Sequence, residues 1–328
     1  MPAFQRAIEL DPGYTQASLW LAQTRLWAGA PLDLWRDYAA RAAAGPGPLS
    51  PRERMLAQAL LLLGSRRYPD ACAAYRRLVD RDTTDVDAWF GLAECQARDR
   101  VVEADAASPS RWSFRSSYQG AIQAYGRALV IVPAAHQVFA GRAFDRLARL
   151  FFVESNVYRA GYGTGPDTAR FAAWPVLDSD TIAFVPFPFA DVMAGRQPPA
   201  YTAAVARSRE QLRTLTGRWV AAFPRSADAQ EASARALEAL GELGDGEAGP
   251  PGALGAVRRA RGLAKEPTQL LRLAMTETRL LVKLERFAAA RTLADSVLDA
   301  WPRPTPAAAG ALAGLAALTG QVQRTVIL

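Results

Sequence analysis

The sequence is nearly without lysine and histidine. Of its 39 basic residues only Lys265 and Lys283 are lysines, and His136 is the single histidine. A Ser-His-Asp arrangement or a histidine metal site would have to be built around His136 alone, which reads better as an ordinary residue at a helix start. There are only two cysteines, Cys72 and Cys95, too few for a zinc site of their own. No run of about 18 uncharged apolar residues occurs, because LAQALLLLG and AAAGALAGLAAL are too short or too rich in alanine to span a bilayer. The opening MPAFQRAIEL lacks the basic region and apolar core of a signal peptide. These absences predict a soluble segment with no membrane insertion, no metal and no cofactor.

What is present is arginine, alanine and ample core material. The chain has 328 residues, half of them hydrophobic, with a formal charge of +7 and a pI near 9.8. The arginines alternate with acids, as in RRLVDRDTTD, and the longest basic runs are the pairs at 66–67, 76–77 and 258–259. That distribution reads as a solvated face, not as a stripe that tracks phosphates, so no nucleic-acid partner is expected.

Several segments share one spacing: a small residue, a large residue four positions on, an alanine-like residue three further, and a helix stop five later. Ala71, Tyr75, Leu78 and Thr83 follow it, as do Ala121, Tyr125, Ala128 and Pro133, and Ala290, Ala294, Val297 and Pro302. Phe4, Ala7 and Pro12 occupy the last three places. After each stop a second helical pattern begins, including TQASLWLAQTRLWAG and VDAWFGLAECQARD. Small residues at fixed places let antiparallel helices approach closely, and the proline turns the chain into the next unit.

These segments resemble tetratricopeptide repeats. AIELDPGYTQASLWLAQ carries the ending of one helix and the opening of the next, and DVDAWFGLAE supplies Trp89, Leu92 and Ala93. The likeness covers residues 1–30 and 68–148, and persists more weakly over 215–320. Thr83 stands where proline is usual and Leu78 where alanine is. The fold class expected is therefore all-α, a superhelical repeat with one irregular, partly extended insert. Both ends read as half-repeats: AFQRAIELDP looks like a second helix without its first, and GQVQRTVIL begins a helix and stops. The expectation is a piece of a longer protein, with uncapped ends open to self-association.

Across 30–240, SPRERMLAQALLLL, YPDACAAYRRLV, DAWFGLAECQARD and RFAAWPVL resemble the C-terminal repeat regions of large bacterial serine/threonine protein kinases. No kinase motif accompanies them, so the resemblance implies a context and no activity: a sensory or scaffolding tail of a membrane-linked signalling protein. The segment would be cytoplasmic by default, or extracytoplasmic if it is such a tail.

Residues 1–150 are thus expected as repeats with an inserted loop at about 100–117, residues 151–200 as an irregular glycine-, proline- and aromatic-rich insert holding a short hairpin, and 201–328 as degenerate repeats. In the insert, FAAWPVL and TIAFVPF alternate like strands around the turn Asp178-Ser179-Asp180. GYGTGPDT lacks the Lys-Ser/Thr of a phosphate loop and reads as a flexible turn. A small-molecule or hydrolytic site there would need Asp178, Asp180 and Arg170 to converge, but turn chemistry explains the two aspartates better. Phe171, Trp174, Phe184, Phe187 and Phe189 either form an aromatic patch or are buried against the repeats. Cys72 and Cys95, on helices that should pack together, are either two thiols in the repeat core or a disulfide in an oxidising compartment.

In tetratricopeptide arrays the first helices line a concave groove that takes up peptides or partner helices. Carried over to this chain, the pattern places Gln16, Gln23, Trp27, Phe90, Glu94, Arg98 and Gln137 inward, with Trp27 and Phe90 also readable as core. No catalytic residue is identified. The chain is read as a non-enzymatic protein-interaction module or scaffold. Double-alanine replacement of Glu94 and Arg98 is expected to weaken peptide capture without unfolding the chain.

Overall fold

A computed structural model describes residues 2–153, 158–161, 170–186, 190–191, 194–246, 252–301 and 304–321. The chain divides into two compact units, residues 1–208 and 209–328. The boundary falls inside one long helix, α9 (Pro199–Ala222).

The first unit is a run of helices each packed on its sequence neighbour: α1 (Pro2–Leu10), α2 (Thr15–Trp27), α3 (Arg36–Ala44), α4 (Pro51–Gly64), α5 (Tyr68–Arg81), α6 (Val86–Arg98), α7 (Tyr118–Ile131) and α8 (Gln137–Val153). Local chemistry sets several boundaries. Ser50 and Glu53 cap α4 reciprocally, with a proline at its start. Asp85 and Ser117 accept the free amides of Ala88 and Gly120 at the beginnings of α6 and α7, which satisfies donors that have no partner within the helix. The repeated spacing falls on the core: Ala71, Tyr75, Leu78, Ala121, Tyr125 and Ala128 are all buried. Gly91 of α6 lies so close to α5 that a Cβ there would meet the Tyr75 ring at 2.1 Å. The opening helix α1 is packed against α2 and α3, Ile8 joining Ala17 and Leu21 with Tyr38 at the edge.

The segment expected as a loop at 100–117 contains two strands, β1 (Val102–Ala104) and β2 (Trp112–Phe114). They join β3 (Tyr158–Gly161), β4 (Arg170–Val176) and β5 (Thr181–Pro186) in one antiparallel sheet of order β1-β2-β5-β4-β3. The link is the pairing of Ser113 with Thr181. Phe114 N–H also donates to the Asp180 carbonyl at 2.9 Å, and Asp180 Oδ1 accepts Gln119 N–H at the start of α7. Sequence locality hides this, since the paired residues Ser113 and Thr181 are more than sixty positions apart.

The hairpin does not disturb the repeat because its stem is closed. Asp99, fully buried, accepts two bonds from Arg115, at 2.9 and 2.8 Å, and one from Ser116 at 2.7 Å. Burial acts to raise the Asp99 pKa, but these bonds outweigh it and hold the carboxyl below the usual range.

The second unit packs α10 (Ala227–Leu240), α11 (Ala253–Leu263), α12 (Pro267–Lys283), α13 (Phe287–Asp299) and α14 (Pro306–Leu318) around Leu254, Val257, Leu273, Leu280 and Leu281, with a second cluster at Leu271, Leu298, Leu312 and Leu315. Ion pairs join Glu231 to Arg272, Glu238 to Arg279 and Asp245 to Arg286. Each pair spans 41 residues, and successive pairs are seven residues apart; Arg272 and Arg279 stand two turns apart on one face of α12, and Arg286 lies just beyond its end. The fold is all-α and tetratricopeptide-like, interrupted by the composite sheet. Among the described residues no helix is long and apolar enough to cross a membrane.

Candidate ligand-binding site

One recess of the first unit is built largely by the first helices of its repeats. It has a volume of about 690 Å³ and is lined from the α2–α3 connection through α4, α6 and α7 to α8. Trp27 of α2 meets Phe139 of α8 with ring centroids 4.5 Å apart, so the helix array closes on itself at that point.

Glu94 stands in the wall of this cavity, 2% exposed. Its Oε1 accepts the Tyr125 hydroxyl at 2.7 Å and faces Arg146 Nε at 3.2 Å, while Oε2 accepts Arg98 Nε at 2.7 Å. Burial pushes the Tyr125 hydroxyl well above its ordinary pKa, and the Glu94 charge adds to the shift. For Arg98 burial works downward, but Glu94 outweighs it and holds the guanidinium above its usual value. Gly29, at φ 76°, is what allows Arg146 to approach: a Cβ there would meet its Nη2 at 2.7 Å. That Nη2 is shielded from solvent and has no acceptor among the described residues.

The remaining lining is strongly basic. Arg36, Arg66, Arg98, Arg100, Arg146 and Arg149 face only two carboxylates, Asp33 and Glu94, a formal surplus of four positive charges. Arg66, Arg100 and Arg149 are exposed, and no ion pair holds their side chains among the described residues. Arginine forks suit planar, multiply hydrogen-bonding anions, and the two central arginines are preorganised by Glu94.

Of the seven residues expected in a groove, only Glu94 and Arg98 line this cavity. Phe90 is interior, 2% exposed and edge-on to Tyr125 at 5.7 Å. Gln23 is fully buried, with neither amide atom partnered. Gln16 donates to Glu53 at 2.8 Å, which holds the Glu53 carboxyl below its usual range. Gln137 donates to the Val132 carbonyl at 3.0 Å, and Trp27 is taken up by Phe139. The burial of Glu94 also changes the expectation for its replacement: alanine there costs stability as well as any binding.

Of the five aromatics of the insert, Trp174 and Phe184 lie on opposite faces of the sheet. The register with Ser113–Thr181 places Trp174, Ala183 and Val185 on one face of the sheet and Trp112, Ile182 and Phe184 on the other. Trp174 is buried, edge-on to Tyr201 of α9, whereas Phe184 is half exposed. Phe171 lies in β4, and Phe187 and Phe189 fall outside the described residues. Asp178 pairs with Arg207 at 3.0 Å, and Asp180 Oδ1 accepts Gln119 N–H. His136 is exposed beside Phe139. Among the described residues no group of three metal-ligating side chains occurs. Cys72 and Cys95 form a disulfide, with Cα atoms 5.6 Å apart, joining α5 to α6.

Reasoning from sequence missed the arginines because it read them as a solvated face. The signal available was their position: Arg66 and Arg100 follow the ends of α4 and α6, at the rim of the repeats.

Residues 56–111 match the tetratricopeptide repeat model. That stretch runs from within α4 through α6 and β1, ending just before β2, and so includes Glu94, Arg98 and both cysteines. A comparison with curated proteins finds no match. Among solved structures the chain is similar to a thermophilic tetratricopeptide protein of Thermus thermophilus, at 13% identity over 84% of this chain and 100% of that one, with a TM-score of 0.35. It is also similar to yeast Tom70, at 12% identity over 99% and 78%, with a TM-score of 0.28.

Proposed function

We propose that the chain is a protein-interaction module whose first unit takes an acidic segment of a partner into the cavity around Glu94. The observation that carries this is the convergence of six arginines from different repeats on one recess, with only two carboxylates among them. The closure of α2 on α8 shapes the recess as a cavity, so a chain end or a tight loop fits it better than a long extended strand. Affinity would come from arginine–carboxylate pairing with the rim and from Tyr68 and Tyr125 in the wall.

The test is a fluorescence-anisotropy titration with peptides of equal length and acidic, neutral or basic composition. Acidic peptides should bind, weaken as salt rises, and lose binding in Arg66→Glu and Arg149→Glu variants. Equal binding of the basic set, or indifference to both charge reversals, would sink the reading.

The Cys72–Cys95 bond favours one placement. Disulfides persist in oxidising compartments, which supports the reading of the chain as the extracytoplasmic sensory or scaffolding tail of a membrane-linked signalling protein. Thiol labelling in intact source cells tests it: a pair that reacts without prior reduction speaks against that placement.

A further inference from the structure

The charge of the cavity goes further than the wish for an acidic peptide. A single carboxylate brings one negative charge to a recess with a surplus of four positive ones, and it offers two acceptor oxygens. Glu94 already satisfies Arg98 and one nitrogen of Arg146. That leaves Arg66, Arg100, Arg149 and the unpaired Nη2 of Arg146 as donors without acceptors. A phosphoryl group carries about −1.5 to −2 charges at neutral pH and three strong acceptor oxygens. Its three oxygens diverge, so it can engage more arginines arriving from separate helices than the two coplanar oxygens of a carboxylate. Arginine forks bind phosphate oxygens in pairs.

We propose that the cavity around Glu94 selects a phosphoryl group over a carboxylate. This rests on the reading that the cavity is the ligand site, and it names the ligand's charged group. Arg66, Arg100 and Arg149 hold the phosphoryl oxygens, and Glu94 keeps Arg98 and Arg146 in place behind them. The group arrives either on a phosphorylated side chain of the partner or on a free phosphorylated small molecule.

The experiment uses calorimetric titration of the full chain with four probes: a phosphoserine peptide, the same peptide with glutamate in its place, the same peptide with serine, and inorganic pyrophosphate. A phosphoserine peptide binding about tenfold tighter than its glutamate counterpart supports the proposal with a partner protein as the source. Pyrophosphate binding that is lost in Arg149→Ala supports it with a small molecule as the source. Phosphoryl binding should also weaken as pH falls through about 6, where the group loses its second charge, while binding of the glutamate peptide holds to about pH 4–5. Arg149 has no structural partner among the described residues, so its replacement leaves the fold intact, which thermal unfolding checks.

If the glutamate peptide binds as tightly as the phosphoserine one and pyrophosphate does not bind, the proposal is overturned and the acidic-segment reading stands. If no probe binds, both fall.

Discussion

Glu94→Ala removes one acceptor from three donors. Tyr125, 1% exposed, loses its partner where water cannot replace it, and a buried unpaired hydroxyl costs about 1–3 kcal/mol. The Arg98 and Arg146 side chains keep 24% and 20% of their surface in solvent, so water recovers part of their loss. Removing one partner of a fully buried ion pair costs about 3–5 kcal/mol, and this partial exposure puts Glu94→Ala near the lower end, about 3 kcal/mol. Glu94→Gln keeps an acceptor for Tyr125 and should cost roughly half as much. Urea unfolding followed by circular dichroism measures both. A double-mutant cycle with Tyr125→Phe should return a coupling of about 1 kcal/mol or more, within the range found for residues in direct contact. A cost below about 1 kcal/mol for Glu94→Ala, with an additive cycle, would show that Glu94 is not the post on which the cavity is hung.

Three other outcomes follow from the same architecture. Replacing both cysteines by serine, or reducing them, should lower stability by about 3 kcal/mol, because the bond closes a loop of 23 residues and removes that freedom from the unfolded chain; unchanged unfolding with and without reductant would contradict it. Gly91→Ala should cost at least about 1–3 kcal/mol by driving a methyl into the buried Tyr75 ring, and a variant as stable as the parent would mean the helices part freely. Asp99 titrates below its unfolded value, so its contribution is complete above about pH 4 and is lost as pH falls further, through the folded pKa. Asp99→Asn should therefore flatten the acid limb of a melting-temperature profile, and an unaltered limb would assign the acid sensitivity to other groups.

The repeats were legible in the sequence because their signal is local. Ala71, Tyr75 and Leu78, or Ala121, Tyr125 and Ala128, lie on one helix face, and that periodicity alone predicts which side is buried. The disulfide was half legible: adjacency of the two helices brought Cys72 and Cys95 together, but composition could not choose between thiols and a bond. The sheet was less so, because β2 finds β5 across two helices and nothing in either strand names the other. The cavity was least legible. Arg66, Arg100 and Arg149 come from three connections or helices far apart in sequence, and only the packing of the helices brings them to one recess. Helix packing also buries Phe90, against Tyr125, and Gln23, which a generic pattern of inward positions places at a surface. Glu94 and Arg98, on the face of α6 that the pattern marks, do line the recess, although their main partners are each other, Tyr125 and Arg146.

The most direct measurement is hydrogen exchange of the full chain with and without a saturating acidic or phosphorylated peptide. The account predicts slowed exchange at residues 29–36, 64–68, 94–100 and 146–150, the segments that frame the cavity, with the second unit unaffected. Protection confined to the sheet around Trp112 and Phe184, or to residues 209–328, would contradict it.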